Sequence, residues 1–145
     1  MRRLLTYTTA LIVALAGTVA VAQKATTPGE FEAAMKRVSA ANAGVGKGIK
    51  SEAYADAKTS VAAVKAALMD AENFWVVNKK DDAVKMSKDA IAKVTALETI
   101  LSAPTVNQEA AFAAAKEVGG TCTACHKEYR VQNEDKTYSI KPGVI

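Results

Sequence analysis

The chain has 145 residues, with 19 Lys and Arg against 15 Asp and Glu and a formal charge of +4. Half of the residues are hydrophobic, which suits one domain with a useful core. The positive balance does not argue for nucleic acid, because no basic cluster is interleaved with aromatics. Lys79-Lys80 is followed at once by Asp81-Asp82 and reads as a solvated turn.

The N-terminus opens with Arg2-Arg3, then an apolar or small stretch from Leu4 to Val21, then Ala20-Val21-Ala22 before Gln23. This order of positive residues, apolar core and small-x-small site predicts a secretory signal peptide over residues 1–22. Uncleaved, such a stretch would nearly span a bilayer. The Ala-x-Ala site favours cleavage, a mature chain over 23–145, and no stable membrane insertion afterwards. Loss of Arg2 and Arg3 lowers the net charge from +4 to +2.

Thr27-Pro28-Gly29-Glu30 predicts a helix start, with Thr27 as cap, Pro28 in the first turn and Glu30 completing a capping box. Phe31, Met35, Val38, Val45 and Ile49 recur at helical spacing. The run Gly44-Val45-Gly46-Lys47-Gly48 is expected to weaken or close this helix. A second helix is expected from Ser51 to Ala53 onward, with Tyr54, Ala57, Val61, Val64, Leu68 and Trp75 as its stripe. Trp75 and Phe74 read as core. A third begins at Asp81-Asp82, acids suited to a helix N-terminus. It carries Val84, Ile91, Val94, Leu97 and Leu101 before Pro104. A fourth is expected from about Thr105 to Arg130, with Ala111, Phe112, Ala115, Val118, Cys122, Cys125 and Tyr129 near one face.

Spacings of three and four over four segments, joined by short connections, predict an all-α fold: an antiparallel four-helix bundle over residues 23–131. Residues 132–145 read as a tail. It is either extended and held to the bundle by Tyr138, Ile140 and Ile145, or a partly disordered terminus.

Both cysteines and the one histidine fall in a single string on the fourth helix, Cys122-Thr123-Ala124-Cys125-His126. Cys-x-x-Cys-His is the attachment pattern of a c-type haem. The thiols add to the two porphyrin vinyl groups, and the imidazole becomes the proximal ligand of the iron. At about 100° per residue the three side chains share one third of a helix circumference and can address one flat ligand. A structural zinc site would need a fourth ligand from a distant carboxylate. A thioredoxin-like pair belongs to a βαβ context that is lacking here. A chance pairing as an ordinary disulfide is the bland alternative. Export and haem attachment point to one compartment, the bacterial periplasm. Two haem propionates would bring the mature net charge close to zero.

The segment Val118-Gly119-Gly120-Thr121-Cys122-Thr123-Ala124-Cys125-His126-Lys127-Glu128-Tyr129-Arg130 resembles the C-terminal signature of class II c-type cytochromes, cytochrome c-prime and its low-spin relatives. Over the other three helices the likeness is one of pattern and order. The resemblance implies one haem c, held by Cys122 and Cys125 on the last helix, with His126 as proximal iron ligand. It implies that Gly119 and Gly120 let the porphyrin or a neighbouring helix approach, and that Arg130 pairs with a propionate. In the low-spin relatives a methionine from the first helix is the second iron ligand, and Met35 stands where such a residue is expected. Met69 and Met86 look like core or helix-edge residues. Tyr129 is expected to cover a haem edge or a bundle seam. A His126/Met35 iron implies a carrier of single electrons between redox protein partners, not an enzyme. Without Met35 the iron is five-coordinate, the arrangement associated with binding nitric oxide or carbon monoxide. The family also admits a homodimer through its first two helices. The chain departs from the family in the compact connection Asn73–Lys80 and in the length of its tail.

Overall fold

The computed structural model describes residues 24–145. The predicted signal peptide lies outside them. Four helices follow in order: α1 (Pro28–Lys50), α2 (Tyr54–Val77), α3 (Asp81–Leu101) and α4 (Gln108–Tyr129). Two short strands close the chain, β1 (Arg130–Gln132) and β2 (Tyr138–Ile140). The molecule is all-α in character with a bundle-like arrangement, each helix packing on the next in the chain. The seam between α1 and α4 is much looser than the other three.

The start of α1 matches the expectation. Glu30 N–H donates to the Thr27 hydroxyl, and the Glu30 carboxylate accepts from the backbone N–H of Thr26 and Thr27. The glycine run behaves otherwise than expected, for α1 passes through it to Lys50. Side-chain loss there serves packing. A Cβ on Gly48 would lie 2.9 Å from the Cβ and backbone nitrogen of Ala57 on α2. Gly44 faces Ser60 in the same way. Close helix approach repays the roughly 1 kcal/mol that each glycine costs a helix.

α4 begins at Gln108 rather than near Thr105. Asn107 caps it, its side chain accepting from Ala110 N–H at 2.9 Å. It ends at Tyr129, because Arg130 adopts extended backbone.

The core has two parts. The larger runs through Val45, Ile49, Val61, Val64, Leu68, Val94, Leu97 and Val118, with Met35 and Cys122 packed at its edge. The second gathers Phe74, Trp75, Ala83 and Tyr129 with Phe31, Met86, Cys125, Ile140 and Val144. Phe74 and Trp75 are buried as expected, at 0% and 1% exposure. Phe112 is not on the inner face; it is 43% exposed. Met69 is exposed at the edge of α2.

The tail is an antiparallel hairpin that pairs Arg130 with Ile140 and Gln132 with Tyr138. Its turn is tied by Asp135, which accepts from Thr137 N–H and hydroxyl. Of the three expected anchors only Ile140 packs on the core; Tyr138 lies against Arg130 and Ile145 is exposed. Lys141 N–H donates to the Tyr129 carbonyl at 2.8 Å, and Lys141 Nζ to the Lys127 carbonyl at 2.9 Å. The hairpin thus satisfies carbonyls that a helix C-terminus leaves free.

Candidate functional site

The last two turns of α4 carry Cys122, Cys125 and His126, all half-buried. Val118 and Tyr129, on the same inward stripe, are buried and anchor the helix on either side of them. Cys122 leans on the larger core cluster and Cys125 on the aromatic one. Both thiols are free. Burial raises the Cys122 thiol above its ordinary range. Burial, assisted by the neighbouring Cys122, pushes Cys125 up to about 11. Burial, and then the Arg130 charge, lowers the His126 imidazole. At neutral pH the string therefore presents two protonated thiols and an uncharged imidazole with a free electron pair.

Cys125 rests on a tight aromatic group. Phe31 and Phe74 ring centres are 4.8 Å apart, Phe74 and Trp75 5.0 Å, and Trp75 and Tyr129 5.2 Å. Tyr129 is raised by burial and by its hydroxyl facing Asp82, whose carboxyl is correspondingly lowered. Tyr129 is a seam residue, with its ring in the core and its hydroxyl at the edge.

Gly119 lies on the helix stripe of His126 and Gly120 beside it. A side chain on either would meet nothing within 4 Å. The close approach of a neighbouring helix expected at these glycines is therefore not seen at either one. The Thr123 hydroxyl returns to the Gly119 carbonyl at 2.9 Å, so it does not stand out over that open strip.

Met35 is brought to the level of the string. Gln108 Nε2 donates to the Ile49 carbonyl at 2.8 Å, fixing the start of α4 beside the end of α1. Fourteen residues back from Ile49 is Met35, and fourteen forward from Gln108 is Cys122. At 1.5 Å per residue each lies about 21 Å from that bond, on helices running opposite ways. Met35 is partly buried and packs on the same cluster as Cys122.

Arg130 remains beside His126, though off the helix. Its guanidinium lies over the Tyr138 ring, 4.1 Å from the centroid. Thr123, His126, Lys127, Arg130, Gln132 and Tyr138 line a cleft of about 320 Å³. Gln132 and Tyr138 were not expected there. Their signal was present in the alternation of Val131-Gln132 and Tyr138-Ser139-Ile140 about the polar turn Asn133–Thr137, but runs of three are too short to stand out.

These residues fit a covalently held haem. Two unpaired thiols and an uncharged imidazole share one arc, and an open strip of helix adjoins them. Among the described residues no three His, Cys, Asp or Glu side chains are grouped so that they could hold a metal ion. No family model, curated protein or solved structure matches the chain.

Proposed function

We propose that the protein is an exported, periplasmic c-type cytochrome of class II character, carrying single electrons between redox proteins on one haem. The observation that carries this reading is the string Cys122-x-x-Cys125-His126, half-buried on one arc at the end of α4. Cys122 and Cys125 hold the group through thioethers, and His126 is its proximal ligand. Arg130 is the cation within reach of a propionate on the His126 side. Haem c supplies an iron that gains or loses one electron without a change in bonding partners.

The protein contributes three things. The aromatic group beneath Cys125 and the aliphatic cluster beneath Cys122 keep water from the attachment face. Met35, at about the height of the string, would offer a thioether to the iron, which would favour the ferrous form and raise the potential. With its ligands drawn from packed helices, a haem held here would supply one-electron chemistry with little change in its surroundings, which suits outer-sphere transfer. The string itself offers two protonated thiols and an uncharged imidazole, and no catalytic step is proposed.

One observation favours a second reading. Met35 packs on the larger cluster, where methionine commonly serves as filler. Held there, it leaves the sixth position open for nitric oxide or carbon monoxide. Absorption spectra of the oxidised and reduced protein, with and without carbon monoxide, test both. Sharp low-spin bands indifferent to carbon monoxide support the electron carrier. A broad high-spin spectrum that shifts with carbon monoxide supports the gas-binding form. No haem bands after expression with a competent maturation system overturns both.

A further inference from the structure

We propose that Trp75, Tyr129 and Asp82 form an exit path for oxidising equivalents, in which Tyr129 gives an electron to oxidised Trp75 and its hydroxyl proton to Asp82. The use of the path, drawing oxidative damage away from a group held at Cys125, rests on the haem reading; the path itself does not.

The path runs from the core to the edge of the bundle. Trp75 is 1% exposed and Tyr129 5%, and their ring centres are 5.2 Å apart. Both belong to the cluster on which Cys125 packs. Asp82 stands at the surface, with 62% of its side chain exposed. Its Oδ1 accepts from the Ala83 N–H at 3.0 Å, which fixes the carboxylate at the start of α3. Lys80 links the two ends, with Nζ 3.6 Å from Asp82 Oδ2 and 5.8 Å from the centre of the Tyr129 ring. Of the other tyrosines among the described residues, Tyr54 packs on the larger cluster and Tyr138 lies against Arg130. Neither shares the cluster of Trp75.

These neighbours decide the chemistry. The Lys80 cation over the ring opposes a positive charge there, so Tyr129 must shed its proton as it loses an electron. Burial, and then the hydrogen bond to Asp82, keep the hydroxyl protonated well above its ordinary range. The same hydrogen bond lowers the Asp82 carboxyl, which is ionised at neutral pH and able to accept. Glu128 acts on Tyr129 only through its charge. The step balances. An oxidising radical takes one electron from Trp75 and leaves a radical cation. One electron then passes from Tyr129 to Trp75, the Tyr129 O–H bond breaks, and an O–H bond forms on Asp82. The products are neutral Trp75, a neutral tyrosyl radical and protonated Asp82.

Trp75 is the one tryptophan of the chain, so light absorbed by tryptophan and not by tyrosine starts the reaction at a single place. The purified protein is illuminated in this way with chloropentaamminecobalt(III), which takes the electron irreversibly and becomes cobalt(II). The radical is then read by electron paramagnetic resonance of samples frozen at successive times. A tyrosyl signal that narrows with ring-deuterated tyrosine is expected. Tyr129→Phe, which keeps the packed ring, should replace it with a tryptophan radical. Tyr54→Phe should leave it unchanged. Asp82→Asn should slow its appearance at least about tenfold, the low end of what a positioned proton acceptor contributes.

A tyrosyl signal that survives Tyr129→Phe overturns the proposal, because another tyrosine then receives the oxidation. A tryptophan radical as the final product of the unaltered protein overturns it too, as does an unchanged rate in Asp82→Asn. Variants are compared at one haem content. The path starts on Trp75 and not on the iron, so a protein without haem bands sinks the electron carrier and leaves this test standing.

Discussion

Gln108 on α4 and Ile49 on α1 are joined side chain to backbone at 2.8 Å, across 59 positions of sequence. This bond lies in the loosest seam, and counted from it along the two helices Met35 and Cys122 come to about the same height. Met35→Ala in the haem-loaded protein should convert a sharp low-spin spectrum to a broad one that responds to carbon monoxide. An unchanged spectrum would remove Met35 as a ligand. Gln108→Ala should cost about 1 kcal/mol in urea unfolding, the usual net value of such a bond.

Glycine substitutions in α1 should have opposite signs two residues apart. Gly46 has nothing within 4 Å of where a Cβ would stand. Gly46→Ala should therefore stabilise by up to about 1 kcal/mol through helix propensity. Gly48→Ala pushes a methyl into Ala57, whose backbone cannot give way. Overpacking of about 1–3 kcal/mol should outweigh the propensity gain. Melting temperatures of the two variants, measured side by side, decide the matter.

Glu30 should confer an acid dependence on stability. Hydrogen bonds from the Thr26 backbone and hydroxyl, and from Thr27, hold its carboxyl down at about 2. The unfolded chain takes up this proton first as pH falls. The contribution is thus full above the ordinary carboxylate value near 4.5 and is lost as pH drops through about 2. Glu30→Gln should flatten this part of the profile between pH 5 and 2 and leave the neutral-pH slope alone. An identical acid profile in the variant would remove the capping box as its source.

Trp75 is the one tryptophan of the chain, and it is packed on Tyr129 one turn from Cys125. A haem held at Cys125 would accept its excitation energy, so the folded protein should emit weakly and brighten on unfolding in guanidinium. Strong emission from the folded, haem-loaded protein would place the porphyrin elsewhere. Trp75→Ala should cost about 3–5 kcal/mol, the range for emptying a large aromatic site in a core.

Arg37 and Asp70 form a pair that no periodicity disclosed. Asp70 is 3% exposed and its Oδ2 lies 2.9 Å from Arg37 Nη1, without hydrogen-bond geometry. Its backbone carbonyl accepts from Ala25 N–H at 3.2 Å, which ties the segment before α1 to α2. Asp70 sits two residues past Leu68, off the apolar stripe, where a sequence reading places solvent. Burial there comes from the arriving N-terminal segment and from α1, both distant in sequence.

The string Cys122-Thr123-Ala124-Cys125-His126 stands out in the sequence because covalent haem attachment, the reading proposed here, asks for set residue types at fixed spacing. The four helices were legible because a helix that buries one face must repeat apolar residues every three or four positions. The Thr27–Glu30 box was legible because it closes within four residues. All of these are local. The passage of α1 through its glycines was decided by what packs opposite, since the same residues that break an isolated helix permit close contact with Ala57 and Ser60. The hairpin, the cleft it builds against His126 and the shelf of Arg130 on Tyr138 were decided by docking on the end of α4. Short strands have little propensity of their own and form where a finished surface offers them carbonyls and an apolar edge. That Met35 and Cys122 border the same cluster came from neither helix alone but from the packing of the helices on one another.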